Sequence, residues 1–197
     1  MGTPKLGPMT ADSFLDWIET ESGRYELVDG YPIEMVAGRT QSHNVAASNI
    51  LLALVPPAKA RGWRATIKRT AVRTGDRGVR FPDLAVDCGP PNPSAKEASR
   101  PTLVVEVSSP SGLSTDVTDK LDEYRQHPDI RVIMFVEPDV VSIKLYRRAE
   151  FGEWTIEKYG RLEETTDLPE IGARLPWAAI YDTLEPKLRP ALQVVPE

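Results

Sequence analysis

Glu106 lies inside Leu103-Val-Val-Glu-Val, an apolar run in which an ionised carboxylate is costly unless it is paired or binds a cation. A second acid, Asp83, follows Pro82 at the head of Leu84-Ala-Val. The chain between the two acids is long enough for a pair of adjacent strands and their connection. Carboxylates at neighbouring strand ends suit magnesium, a hard cation commonly held by one or two carboxylates together with water and substrate phosphate. The competing readings are two surface acids, or a Glu106 that pairs with a core arginine. Glu26, at the start of Tyr25-Glu-Leu-Val, is a third acid of interest.

After Glu106 come Val107-Ser-Ser-Pro-Ser and a helical stretch that carries Asp116, Lys120 and Tyr124 at i, i+4 and i+8, on one face. A lysine on that face can reach a site at the strand end and stabilise a pentavalent phosphate. The plainer alternative is a solvated Asp116–Lys120 pair. His43, at a helix start, suits a cap or a core histidine equally, and His127 before Pro128 reads as a helix-end feature. Between Lys59 and Arg80 stand eight basic residues against one acid, Asp76. That stretch is either a solvated arginine-rich strand and turn or a phosphate-facing strip formed by Arg64, Lys68, Arg69, Arg73 and Arg80. It leads directly into Asp83. A glycine-rich phosphate loop, paired-cysteine zinc spacing and a Gly-x-Ser-x-Gly elbow are all missing from the sequence, which removes kinases, zinc enzymes and serine hydrolases from consideration.

The elements that must position these residues follow from local pattern. Thr10 is the predicted N-cap of a short helix whose Phe14, Trp17 and Ile18 share a face, ended by Gly23. Tyr25 to Met35 reads as a β-hairpin turning at Asp29-Gly30. Ser42 is the predicted cap of a helix from His43 to about Val55, stopped by Pro56-Pro57. One strand is expected over Trp63 to Val72, a turn at Gly75-Asp-Arg-Gly, and another strand over Val79 to Val86. Leu103 to Val107 has the pattern of a central strand buried on both faces. A helix from Thr115-Asp116 to His127 follows, then an antiparallel set over Val132–Val136, Val141–Arg147 and Trp154–Lys158, and a short helix near Trp177 to Leu184. The order predicts a mixed sheet with helices on its faces.

At 197 residues, 41% of them hydrophobic, the chain is expected to form one domain, with residues 1–9 a flexible lead-in and 186–197 a tail. The net charge of −5 argues against nucleic-acid binding over the whole surface. The longest apolar stretches fall far short of the roughly 20 residues that span a bilayer. The segment Met1-Gly-Thr-Pro-Lys-Leu lacks the apolar core of a secretory signal. The single Cys88 has no internal disulfide partner, which fits a reducing compartment, so a cytoplasmic, non-membrane protein is expected. Trp154 and Trp177 are candidate exposed aromatics for a subunit interface.

In order and spacing, these pieces resemble the Uma-type family of restriction-endonuclease-like proteins in the PD-(D/E)XK superfamily. The resemblance runs through Arg24-Tyr-Glu-Leu-Val-Asp-Gly, the helix opening at His43, Phe81-Pro-Asp-Leu-Ala-Val, Leu103-Val-Val-Glu-Val-Ser-Ser-Pro-Ser, and Asp116 with Lys120 and Tyr124. It continues through Val141 to Arg147, Leu168-Pro and Leu175-Pro-Trp. It implies an α/β (α+β) restriction-endonuclease-like core, a mixed sheet flanked by helices, with magnesium- or manganese-dependent cleavage of DNA and often a homodimer. Carried over by position, Asp83 is the acid of the Pro-Asp motif, Glu106 the second metal-binding acid, and Glu26 the acid of the early Glu-Leu segment. The family pattern places lysine two residues after the second acid, where this chain has Ser108. The resemblance suggests Lys120 as its substitute, with His43, Asp116 and Tyr124 in support. Ser108 and the net acidity leave a second reading, a nuclease-fold module that binds nucleic acid or a protein partner without cutting.

Overall fold

The computed structural model describes residues 7–35, 39–108 and 114–188. Thr10 Oγ1 accepts from the Ser13 N–H at 3.2 Å and caps helix α1, Ala11–Trp17, as expected; a short 3₁₀ turn, Ile18–Thr20, completes it. Strands β1, Tyr25–Val28, and β2, Tyr31–Glu34, form the predicted hairpin. Its two turn residues, Asp29 and Gly30, both have positive φ (51° and 87°), the backbone of a type I′ turn.

The next helix corrects an expectation. Helix α2 runs over Gln41–Ala60 with Pro56 and Pro57 inside it, and its cap is Thr40 rather than Ser42. Thr40 Oγ1 accepts from the His43 N–H at 3.2 Å, whereas Ser42 donates to Asp139. The prolines deprive the carbonyls of Leu52 and Ala53 of their helical donors. Leu52 is 71% exposed, so that side of the helix faces water, while Leu54 and Ala58 on the opposite side are fully buried and hold the last turn to the core. Thr40→Ala is expected to cost about 1 kcal/mol of stability, read from denaturant melting.

Two expected strands each prove to be two. Strand β3 covers Arg64–Ile67 and β4 Val72–Gly75; between them Lys68 and Arg69 adopt positive φ (44° and 68°), which ends one strand and redirects the chain. Strand β5 covers Gly78–Arg80 and β6 Leu84–Asp87, separated by Phe81-Pro-Asp. The chain thus passes between two sheets twice. The small sheet has the order β2-β1-β5-β4 and is antiparallel throughout. With β7, Pro101–Val107, β8, Val132–Glu137, β9, Ser142–Arg148, and β10, Trp154–Tyr159, the large sheet has the order β10-β9-β8-β7-β6-β3. Only β7 and β8 are parallel, and β7 is buried along its whole length, as its apolar run predicts.

Helix α2 covers one face of the large sheet, where Ile50 and Leu54 pack with Leu103, Val105 and Met134. Helix α3, Ser114–Gln126, covers the other, where Tyr124 packs with Val104, Ile133 and Phe135. Helix α1 closes the small sheet through Phe14, Leu27 and Val79. Near the C-terminal end a hairpin not foreseen from sequence, β11, Thr165–Leu168, and β12, Ala173–Pro176, leads into α4, Trp177–Ile180, shorter than expected. Trp177 is fully buried and Trp154 half-buried under the Arg148 guanidinium, which corrects the expectation of two exposed aromatics. The Met9 N–H donates to Gly30 O and the Lys187 N–H to Asp139 O, so both ends of the described chain are tied to the fold. Residues 1–6 of the expected lead-in and 189–197 of the expected tail lie outside the described residues.

Candidate active site

Strands β6 and β7 pair with Leu84 opposite Val105, and one step along that register brings Asp83 opposite Glu106. The Val107 N–H donates to Asp83 Oδ2 at 3.0 Å, which fixes the Asp83 carboxylate at the end of β7. Both acids are buried, as is Glu26 on β1. Glu106 points from β7 to the α3 face, where Lys120 and Tyr124 meet it. Tyr124 Oη donates to Glu106 Oε1 at 2.8 Å, and Lys120 Nζ stands 3.4 Å from Glu106 Oε1 and 3.2 Å from Glu26 Oε1. The structure therefore brings Glu26, Asp83, Glu106, Lys120 and Tyr124 into one cluster at the seam of the two sheets. The ammonium that Ser108 does not supply arrives from α3 instead, while the Ser108 N–H extends the β7–β8 ladder to Val136 O. Of Asp116 only the helical backbone is described; its side chain lies outside the described residues.

His43 is fully buried, with Nε2 3.1 Å from Asp83 Oδ2. Arg39 meets both, through a short contact to His43 Nε2 and 2.9 Å to Asp83. Arg39 was not singled out from sequence. It lies just before the helix cap, one turn from His43, and only the fold brings it to Asp83. Arg80 is a clear correction to the predicted phosphate strip: it is 2% exposed, donates to Glu26 Oε2 at 3.0 Å and is bound to Glu123. It organises Glu26, whose other oxygen accepts from the Phe81 N–H. Arg64 and Arg73 are likewise engaged, Arg64 with Asp87 and Arg73 with Asp12 and Glu97. Lys68 is tied to Asp83 by its backbone, its N–H donating to Asp83 O at 3.2 Å, while its ammonium donates to Asn44 Oδ1 at 3.2 Å; Arg69 follows it in the chain.

The electrostatics separate Asp83 from Glu106. Burial alone would raise the Asp83 carboxyl pKa; the hydrogen bond to His43, the Arg39 charge and the Val107 N–H outweigh it and hold it below the ordinary value. Burial pushes Glu106 up to about 7: Lys120 opposes that rise, and the charges of Asp83 and Glu26 add to it. Burial, reinforced by the Glu106 and Glu26 charges, keeps the Tyr124 hydroxyl protonated as a donor. Asp83 Oδ1 is buried without a hydrogen-bond partner, although Arg39 Nη1 lies 2.9 Å from it in a poor orientation for donation. Among the described residues no group of three or more His, Cys, Asp or Glu side chains is arranged to hold a metal ion. No helix among them is long and apolar enough to cross a membrane.

A mixed sheet flanked by helices, with acids and a lysine gathered at the ends of its central strands, places the chain among proteins with a nuclease-like α+β fold. The chain belongs to the Uma2 family, described as "putative restriction endonuclease", whose model matches residues 11–178. It is 28% identical over 182 residues to the uncharacterized protein slr1290 of Synechocystis sp., covering 90% of this chain and 92% of that one. The fold is similar to the crystal structure of a "putative nuclease belonging to DUF820" from Anabaena variabilis, with a TM-score of 0.72 and 19% identity over 89% of this chain and 98% of that one.

Proposed function

We propose that the protein is a magnesium- or manganese-dependent endodeoxyribonuclease that cuts DNA phosphodiesters at the seam of its two sheets. The observation that carries this reading is the convergence of two buried strand-end acids, Asp83 and Glu106, with the Lys120 ammonium. Asp83 and Glu106 would hold the cation, and the donor set fits one. Asp83 Oδ1 is a buried acceptor with no hydrogen-bond donor, and Tyr124 and Lys120 both meet the buried Glu106 carboxylate at Oε1. Two protein carboxylates are enough for magnesium, which takes its other oxygens from water and phosphate. The bound ion would supply Lewis acidity, drawing charge from a phosphate oxygen and acidifying a neighbouring water.

The chain's own residues do the rest. Lys120 offers its ammonium to the charge that grows on the phosphate. Glu26, fixed by Arg80 and the Phe81 N–H, orients that ammonium, and Tyr124 holds the Glu106 carboxylate in place. Arg39 and His43 anchor Asp83. Lys68 and Arg69 meet the DNA backbone beside the acids.

Supercoiled plasmid incubated with magnesium is expected to become nicked or linear, with EDTA stopping the conversion. A protein inert with both magnesium and manganese overturns the reading. Metal binding must also displace the Glu106 proton. Calorimetric magnesium affinity is therefore expected to climb by about tenfold per pH unit below about 7 and to level off above it.

A further inference from the structure

Between α1 and the hairpin lies a cavity of about 230 Å³, whose lining residues Tyr25 and Phe81 are chain neighbours of the acids Glu26 and Asp83. Leu15, Ile18 and Met35 give it an apolar wall, and Tyr25 and Phe81 contribute aromatic rings. Each ring is braced by another: Trp17 packs edge-on against Tyr25 with centroids 5.0 Å apart, and Phe14 lies 6.5 Å from Phe81. Gly23 makes room for the first, because a Cβ there would stand 2.5 Å from the Tyr25 ring. Arg24 and Arg69 stand exposed at the rim, and among the described residues neither side chain has a hydrogen-bond or ion-pair partner. Lys96, also on the rim, is bound to Asp16 and Glu19, which leaves Glu21 as the acid there with no side-chain hydrogen bond or ion pair among the described residues.

The cavity is wired to the candidate active site. Tyr25 precedes Glu26, and the Phe81 N–H donates to Glu26 Oε1 at 3.1 Å, two residues before Asp83. Arg69 follows Lys68, whose N–H holds Asp83 O. Size bounds the ligand. The cavity is larger than the roughly 150 Å³ that takes a benzene ring and smaller than the roughly 300 Å³ at which pockets for larger ligands begin. One flat heteroaromatic ring system fits that interval.

We propose that this cavity receives a nucleobase swung out of the DNA stack beside the scissile phosphate. The base stacks against Tyr25 and Phe81, Arg24 and Arg69 take the flanking phosphates, and Glu21 accepts from an amino group on the base edge. The inference rests on the nuclease reading above. Unstacking is costly for a paired base and cheap for an unpaired one, so the cavity confers a preference for bulged or mismatched sites.

The test compares binding of the full chain, with calcium replacing magnesium, to a duplex with one unpaired adenine and to the same duplex fully paired. Fluorescence anisotropy is expected to show the unpaired site bound about tenfold tighter. Tyr25→Leu, which removes the stacking ring, and Met35→Trp, which fills the cavity, should each reduce that ratio to about twofold or less. Circular dichroism would establish that each variant is folded. An unchanged ratio in the folded variants, or no preference in a wild-type protein that still binds paired duplex, overturns the cavity assignment and leaves the nuclease reading standing. A wild-type protein that binds neither DNA overturns both.

Discussion

With glutamine in place of Glu106, magnesium-dependent cleavage is expected to fall by about 10³-fold or more, while the metal-free protein becomes more stable at alkaline pH. The loss of rate follows from removing one of the two acids proposed to hold the cation. The gain in stability follows from the sign of the linkage. In the folded protein, burial lifts this carboxyl from its ordinary 4.5 to about 7. The folded chain therefore holds the proton more tightly than the unfolded chain does. Stability from this group is full below about 4.5 and drains away as pH rises through about 7. Above that, the buried charge costs about 3 kcal/mol, which glutamine avoids while still accepting from Tyr124. Scanning calorimetry in EDTA should give coincident melting near pH ~5 and a higher melting temperature for the variant near pH ~8. Cleavage retained by a folded Glu106→Gln protein would remove this acid from the mechanism.

Lys120→Met is expected to lower turnover by about 10²- to 10³-fold. Methionine keeps much of the apolar stem but removes the ammonium that stands between Glu26 and Glu106. Glu26 keeps Arg80, but Glu106 loses its cationic neighbour and is left with the Tyr124 hydroxyl, and stability near neutral pH falls by about 3 kcal/mol. A merely structural lysine would also cost stability, so the pH–rate profile discriminates. The Lys120 charge lowers the Glu106 pKa, and without it the acid limb of the profile moves to higher pH. Lys120→Arg should return the limb and the stability without the full rate, because a planar guanidinium cannot place its charge where a compact ammonium does. An unchanged rate in Lys120→Met would shift the phosphate-stabilising role to Lys68 or Arg69.

The central strand and its misplaced charge were legible because burial writes itself directly into sequence: seven buried positions in β7 leave one acid with no ordinary reason to be there. The hairpin at Asp29-Gly30 was legible because a two-residue turn demands positive φ. What escaped were features set by long-range packing. Pro56 and Pro57 ought to end α2, yet tertiary contacts at Leu54 and Ala58 carry the helix past them. The breaks at Lys68-Arg69 and Phe81-Pro-Asp escaped because β-formers stand on both sides of each, Thr66 and Ile67 before Val72 and Val79 before Leu84, and only the pairing of each half shows where the chain changes sheet. Arg80 shows the same limit in the site. A basic residue in a basic run looks solvent-facing, and only the fold reveals two acids, Glu26 and Glu123, waiting for it.

Because the β4–β5 hairpin is inserted between β3 and β6, neighbours in the large sheet, Asp83 belongs to neither sheet but to the link that joins them. Glu26 comes from one lobe and Glu106 from the other. On the proposed mechanism, assembling the cation site requires the lobes to be docked, and a slip of about 1 Å along that junction would disarm the acids about a hundredfold without altering any of them. A substitution far from the acids that loosens the junction would register as a catalytic defect.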